Sequence, residues 1–382
     1  MITFSKTIRA ALGCTLLVAL PAMAEDTIKI GMITDKVGPA KPYAEPVSAG
    51  VTFAVTALNA KGGLLGRQIE LLVEDDQGRP DISATAARKL VDAGAVFILS
   101  NSLTPATQQV QTVTVETKTP QLAPSNSGDT LTTQLSNPNF WQTGPLGSTQ
   151  IATLLSYAAN KKFVKVAVVS DNTELSQLTT KSFKAGLEKA GMQVVAEEMI
   201  SRGTTTAEPQ MQKVRAANPE AIFLTGFLTP ENALILRAYR QLGMKSALLG
   251  NFNFSTPQTA AVAKGLLDEL VFVDAFDPAK PEVARFVEAF KKETGNEPYN
   301  LNGYGYDGMM LVADAIQRAG STDKEKVRQA MQATKDYVGV MGATGTGYGF
   351  ADDKRTGFDP NGMVVRVYTG DKQGPVVHTG TK

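Results

Sequence analysis

From residue 27 onward, short apolar runs alternate with longer segments that carry apolar residues at helical spacing. Runs such as KVAVVSD at 165–171 are rich in β-branched residues and lack the strict alternation of a half-exposed strand. Segments such as STQIATLLSYAAN at 148–160 instead repeat apolar residues every three or four positions. Strands buried on both faces and separated by helices predict parallel sheets covered by helices, the doubly wound α/β class.

The alternation restarts near FWQTGPLGS at 140–148, and a chain of 382 residues is long enough for two such layers. After Asp277, three helical segments follow one another without a strand between them. A Gly-rich segment then leads to a last predicted strand at 363–370. The pattern therefore predicts two α/β layers, followed by helices and a C-terminal strand.

The N-terminus has the pattern of a cleaved export signal. Lys6 and Arg9 precede an apolar run at 10–20, which is too short to span a bilayer and therefore disfavours a membrane anchor. Ala22-Met23-Ala24 follows as a small-residue cleavage site. We expect residues 1–24 to be a signal peptide, cleaved near Ala24, and the product to be periplasmic. The only cysteine, Cys14, lies in this segment, so the exported chain would have no disulfide.

Composition and motifs exclude several functions. The chain has 38 basic and 37 acidic residues and no basic block, which argues against nucleic acid and against docking on a membrane by charge. The single histidine, His378, lies near the C-terminus, so histidine triads and multi-histidine metal sites are excluded. GYGYDG at 303–308 fits a dinucleotide fingerprint, but no strand precedes it, and we interpret it as helix packing. We therefore expect no enzymatic activity, no cofactor and no metal.

Hydroxyl, amide and aromatic side chains are concentrated in the loops after the predicted strands, where open α/β sheets bind ligands. The first layer supplies Ser102, Thr104, Ser125, Asn126 and Ser127. The second layer supplies Phe227, Phe252 and Phe254, and Tyr43 follows the first strand. Hydroxyl groups beside the N–H groups of a helix start, as at Thr104, can hold a carboxylate without a cation. Helix capping and turn formation are the alternative explanation for these polar residues.

Two segments resemble a known family. LNAKGGLLGRQIELLVEDDQ at 58–77 and YGYDGMMLVADAIQRAG at 304–320 resemble the branched-chain amino-acid-type solute-binding proteins of ABC importers. The resemblance covers essentially the whole chain after the export signal. It implies two α/β lobes joined by three crossing segments, with the ligand in the cleft between them. The expected division is 25–144 with 277–354 for lobe 1, and 145–276 with 355–382 for lobe 2.

The resemblance also implies which residues hold the ligand. The family seats a carboxylate at loops that match Ser102 or Thr104, and Ser125 and Ser127, while Tyr43 and Phe227 match its aromatic positions. We add Tyr304, from the second motif, to the predicted ligand-binding residues. Two positions depart from the family: Phe252 falls at or next to the glutamate that neutralises an amino group, and Leu175 replaces a tyrosine. A buried ammonium without a counter-charge costs several kcal/mol, so the sequence disfavours an α-amino acid.

Together these features predict a periplasmic protein that captures a small aromatic acid of the benzoate or phenylpropanoid type. We expect Phe252 to form an apolar wall for the ligand, whereas Phe254 either joins that wall or packs beneath the loop. The expected partners are the small-molecule carboxylate and a membrane ABC permease, and the protein is expected to be a monomer. The alternatives are binding of a branched-chain or other amino acid or an aliphatic acid, and a ligand-sensing module that docks on a membrane receptor.

Overall fold

A computed structural model describes residue 1 and residues 27–38, 40–101, 103–133, 137–227 and 229–381. Within these ranges the chain forms twelve β-strands and eleven α-helices, and the strands belong to two sheets. The predicted signal peptide, with Cys14 and Ala24, lies outside the described residues except for residue 1. In the part of the chain that is described, no helix combines the length and the apolar character that crossing a bilayer requires.

The first sheet is parallel throughout, with the strand order β2-β1-β3-β4-β5. Its strands are β1 Ile28–Thr34, β2 Ile69–Asp75, β3 Phe97–Asn101, β4 Gln121–Ala123 and β5 Phe140–Gln142. The helices between them are α1 Lys41–Asn59, α2 Pro80–Asp92 and α3 Thr104–Glu116. Every residue of β3 is buried, as its unbroken apolar run predicted, because helices cover both faces of the sheet.

The second sheet has the order β12-β11-β10-β9-β8-β6-β7. Its strands are β6 Lys165–Asp171, β7 Gln193–Ile200, β8 Ala221–Leu224, β9 Ala247–Gly250, β10 Val271–Asp274, β11 Val364–Thr369 and β12 Lys372–Thr379. Its helices are α4 Gly147–Asn160, α5 Glu174–Lys189, α6 Glu208–Ala216, α7 Thr229–Gln241 and α8 Pro257–Val262. The five strands β6 to β10 are parallel, whereas β11 and β12 pair antiparallel at one edge. Because β12 is a half-exposed edge strand, it lacks the apolar run by which the others were predicted.

The remaining helices, α9 Pro281–Thr294, α10 Asn300–Ala319 and α11 Lys324–Gln332, pack on the side of the first sheet: α10 contacts β3 and α11, and α9 places Phe286 and Phe290 against Phe53 of α1. The α10 helix lies directly against α1. A Cβ atom on Gly50 would lie 2.0 Å from the Asn302 carbonyl oxygen, and one on Gly305 would lie 1.9 Å from the Val47 carbonyl oxygen. The interpretation of GYGYDG as helix packing is therefore confirmed.

The chain passes between the two sheets at 143–146, at 275–280 and in the long segment before β11. Side chains of the helical region hold that long segment in place. Asp307 accepts hydrogen bonds from the backbone N–H groups of Val340 and Met341, at 2.7 and 2.8 Å. Lys280 Nζ donates to the Met341 carbonyl oxygen at 3.0 Å. The α/β class with parallel sheets is confirmed, and the residues at which the lobes begin and end stay a prediction.

Candidate ligand-binding site

A cavity of about 340 Å³ lies where the carboxyl ends of strands from both sheets face each other. From the first sheet it is lined by Thr104, Ser127, Gly128 and Asp129, which follow β3 and β4. From the second sheet it is lined by Leu175, Phe227, Asn251 and Phe252, which follow β6, β8 and β9. The cavity is therefore lined by polar residues where it meets the first sheet and mainly by apolar residues where it meets the second. Thr104, Ser127, Phe227 and Phe252 are predicted site residues.

Hydrogen bonds of Asn126 organise the polar end. Its side-chain Oδ1 accepts from Thr104 Oγ1 at 3.0 Å and from the Gly128 N–H at 2.9 Å. Gln142 Nε2 donates to the Asn126 carbonyl oxygen at 2.6 Å. Asn126 thus fixes the loop that presents Ser127, and it is absent from the described residues that line the cavity. Helix capping does not explain Thr104, because the cap position of α3 is Leu103 and the Thr104 hydroxyl donates to Asn126 instead.

An acidic residue that the sequence analysis did not select also lies at the polar end. Asp129 is exposed and lines the cavity. Its Oδ1 accepts from Ser148 Oγ at 2.6 Å and from the Ser148 N–H at 3.4 Å, in the first turn of α4. A carboxylate at a helix start is stabilised by the helix dipole, and the same charge would interact with a cationic group in the cavity.

The apolar end is formed by a cluster of three aromatic rings. The Phe252 ring lies 5.6 Å from the Phe227 ring and 6.4 Å from the Tyr43 ring, centroid to centroid, in tilted and edge-on geometries. Asn251 fixes the turn that carries Phe252, because its Oδ1 accepts from the Asn253 N–H at 3.0 Å. Tyr43 packs behind Phe252 and is not among the described lining residues of the cavity. Burial, and to a lesser degree the Asp171 carboxylate, raises the pKa of Tyr43.

Asp171 supports the site without being among the described lining residues of either cavity, and its role was not predicted from the sequence. It ends β6, is 2% exposed, and accepts hydrogen bonds from the backbone N–H groups of Phe227 and Thr173. These hydrogen bonds hold the loop after β8, which carries Phe227, against the end of β6. An acidic residue at the last position of an otherwise apolar buried strand is the sequence signal that could have identified it.

A second cavity, of about 40 Å³, adjoins the first and shares Ser127, Gln150 and Phe252 with it. Its other walls include Ser125, Asp274, Asn300 and Tyr304. Two predicted residues, Ser125 and Tyr304, therefore meet in the smaller cavity. Burial, with smaller effects of Asp274 and Asp307, raises the pKa of Tyr304 well above its usual value.

The smaller cavity is bounded by a buried ion pair. Arg366 Nη1 lies 3.1 Å from Asp274 Oδ2, and Asn300 Nδ2 donates to Asp274 Oδ1 at 2.8 Å. Burial raises the pKa of Asp274, although Arg366 opposes this. The buried Oδ1 of Asn300 has no hydrogen-bond partner within the described parts of the chain, so it is able to accept a hydrogen bond from a donor group in the cavity.

Two further predicted positions have separate outcomes. Ser102 lies outside the described residues. Phe254 is 0% exposed and packs in the core beneath the loop, with its carbonyl oxygen accepting from Tyr368 at 2.7 Å. Residues two positions apart in the short 3-10 segment Phe252–Ser255 project from different sides of it, and Phe252 reaches the cavity whereas Phe254 does not. Among the residues described, no group of three or more potential metal ligands is present.

Comparison with known proteins assigns the family. The family model described as periplasmic binding protein matches residues 27–371, and the chain belongs to that family. Leu/Ile/Val-binding protein homolog 3 of Brucella melitensis is 27% identical, covering 78% of this chain and 80% of its own. The leucine-, isoleucine-, valine-, threonine-, and alanine-binding protein of Pseudomonas aeruginosa is 25% identical, covering 82% of this chain and 84% of its own.

Solved structures agree with this assignment. The branched-chain amino acid transporter substrate binding protein LivJ of Streptococcus pneumoniae, in complex with isoleucine, is similar with a TM-score of 0.79 at 22% identity, over 92% of this chain and 99% of that chain. A type 1 periplasmic binding protein of Bordetella pertussis has a TM-score of 0.75 at 26% identity, over 92% of this chain and all of its own length (100%). These similarities confirm the two-lobe α/β fold. The protein is a periplasmic solute-binding protein that serves transport, and it is not an enzyme. Both statements agree with the prediction from sequence.

Proposed function

We propose that the protein captures a small carboxylate with an aromatic body in the periplasm and presents it, as a monomer, to the permease of an ABC importer. The observation that carries the proposal is the division of the cavity, with hydroxyl groups at one end and Phe227 and Phe252 at the other. The ligand carboxylate would lie at Thr104 and Ser127, near the positive end of the α3 dipole, with Ser125 adjacent. Its ring would lie against Phe252, where an aromatic pair contributes about 0.5–1.5 kcal/mol.

Capture would be coupled to closure of the two lobes. The lining residues come from both sheets, so a ligand that contacts Ser127 and Phe252 together stabilises the arrangement in which the lobes approach. The Tyr43–Phe252 ring contact already joins a helix of the first sheet to a loop of the second. The same residues would be separated in an open form, which would release the ligand to the permease.

A second candidate function is binding of an amino acid. The relatives that match most of the chain are named for binding leucine, isoleucine and valine. Asp129 also lines the cavity and would provide the counter-charge that Phe252 cannot supply. In this alternative the ammonium would lie near Asp129 at the polar end.

Thermal shift followed by titration calorimetry distinguishes the two functions. At a hundredfold excess over its dissociation constant a ligand adds about 2.7 kcal/mol of stability. We expect benzoate or 3-phenylpropanoate to raise the melting temperature and leucine to leave it unchanged. Asp129→Asn should not weaken binding of these acids, whereas it should weaken an amino acid, and Asp353→Asn, an exposed carboxylate away from both cavities, is the matched control. Stabilisation by leucine that Asp129→Asn abolishes would refute the aromatic-acid proposal.

Export is proposed to use residues 1–24, with cleavage after Ala24. N-terminal sequencing of the protein recovered from the periplasm should begin at Glu25. Recovery of a lipid-modified protein that begins at Cys14 would contradict this assignment.

A further inference from the structure

Part of the large cavity is a groove between α4 and α5. On α4 the groove is lined by Gly147, Gln150, Ile151 and Leu154. On α5 it is lined by Leu175, Leu178, Thr179 and Ser182. Both sets follow the i, i+3, i+4, i+7 spacing that places side chains on one face of a helix. The N-terminal halves of the two helices therefore face each other across open space that is continuous with the ligand cleft.

The groove is closed at its far end and has a buried floor. Towards the C-terminal ends the helices touch, since a Cβ atom on Gly186 of α5 would lie 2.4 Å from Leu155 Cδ1 of α4. Phe183 of α5 and Val273 of β10 form the floor and are 2% and 1% exposed. The groove is thus a blind apolar extension of the cleft rather than a passage through the lobe.

Two leucines on the wall of the groove are poorly covered. Leu175 is 55% exposed and Leu178 is 58% exposed, although both line the same cavity as the buried Phe183. Adjacent exposed apolar side chains that continue into an apolar cavity are typical of a binding surface. The polar residues Ser127 and Asp129 lie beside the start of α4, where the Gly147 N–H donates to the Ser127 carbonyl oxygen at 2.9 Å, so the groove begins next to the polar end of the cavity.

We propose that this groove, defined by the α4 and α5 positions above, binds the aryl end of a ligand that is longer than benzoate. The ligand would then be an arylalkanoate, a carboxylic acid whose ring and methylene chain together reach further than a benzoate. This inference rests on the proposed function, because it assumes that the carboxylate is held at Thr104 and Ser127. It assigns to Leu175, Leu178 and Ser182 the selection of ligand length.

Titration calorimetry of the full purified protein with benzoate, 3-phenylpropanoate and 4-phenylbutanoate tests the inference. Each buried methylene contributes about 0.8 kcal/mol, or roughly fourfold in affinity. We expect 4-phenylbutanoate, with three methylenes, to bind roughly fiftyfold more tightly than benzoate. Ser182→Trp places a ring in the groove and should reduce this ratio towards one. The exposed Lys181, on the adjacent face of α5, provides the matched control Lys181→Trp, which should keep the ratio.

The outcomes separate this inference from the proposed function. Equal affinity of the wild-type protein for benzoate and 4-phenylbutanoate would overturn the inference that the groove binds the ligand, and it would leave the aromatic-acid proposal in place. The same conclusion would follow if Lys181→Trp lowered the ratio as much as Ser182→Trp. Failure of all three acids to bind the wild-type protein would overturn the proposed function and the inference with it.

Discussion

Replacing Phe252 by alanine removes the ring that links Tyr43 to Phe227 at the apolar end of the large cavity. The change deletes two ring contacts, with centroid distances of 5.6 and 6.4 Å. Each contact of this kind contributes about 0.5–1.5 kcal/mol beyond burial, so the pair contributes about 1–3 kcal/mol to the free energy of unfolding. Because Phe252 is only half-buried, the total should stay below the ~3–5 kcal/mol of a phenylalanine in a closed core.

The effect on the ligand should be distinct from the effect on stability. An aromatic acid would lose one ring pair, about 1 kcal/mol, and should bind about fivefold more weakly. Urea unfolding gives the stability change, and calorimetric titration with benzoate gives the change in affinity. Phe163→Ala is the matched control, because Phe163 is also half-buried against the same core and lines neither cavity.

The two variants together show whether the Phe252 ring contacts the ligand. Both should lower the free energy of unfolding, and Phe252→Ala alone should weaken benzoate binding. If the two variants bind benzoate with equal affinity, the Phe252 ring is a structural support and does not contact the ligand.

Three further predictions concern buried groups. Burial raises the pKa of Asp307 from its ordinary 3.8 to about 6, so the stability that this group contributes is present below pH 3.8 and is lost as the pH rises through about 6. The excess unfolding free energy of the wild type over Asp307→Asn should therefore shrink in urea titrations from about pH 4 to pH 7, and a constant difference would contradict this. Arg366→Met leaves the buried Asp274 carboxylate without its cation and should cost about 3–5 kcal/mol in the same assay, whereas a loss below about 1 kcal/mol would show that the pair contributes little. Gly305→Ala places a Cβ atom 1.9 Å from a carbonyl oxygen of α1 and should lower the free energy of unfolding by about 1–3 kcal/mol. Gly349→Ala is the control and should be tolerated, because the nearest atom to its Cβ would lie at 3.8 Å. Equal losses of stability in the two variants would exclude the close approach as the cause.

Strands buried on both faces could be predicted from sequence, because burial on both sides requires a continuous apolar run. The strand KVAVVSD at 165–171 was predicted with the bounds that the structure gives. β5 and β12 were not predicted. β5 has only three residues, which is too short for a recognisable pattern, and β12 is a half-exposed edge strand without an apolar run. Helix starts were predicted less accurately: the segment EPVSAGVTFAVTALNAKGG predicts a helix from residue 45, whereas α1 begins at Lys41. A proline is most compatible with the first turn of a helix, but the structure places Pro42 in that turn and Pro46 inside the helix, so the start is set by tertiary contacts.

The sequence also identified which loops form the candidate site, since the strand pattern tells where each carboxyl end falls. It could not tell which side chains in those loops reach the cavity. Asn126 was selected with Ser127, yet its hydrogen bonds to Thr104 and Gly128 direct it into the loop. Asp129 was not selected, because nothing in the local pattern shows that the start of α4 lies beside it.

By itself, the sequence determined the class of the fold, the loops at the cleft and the large family to which the chain belongs, because these follow from local periodicity and from short motifs. Only the tertiary structure decided that Phe252 faces the cavity while Phe254 packs in the core, and that Asp171 holds the backbone beside Phe227. It also decided that α4 and α5 diverge at their N-terminal ends and leave a groove. These features depend on distances between segments far apart in the chain, and no local pattern of residues encodes such distances.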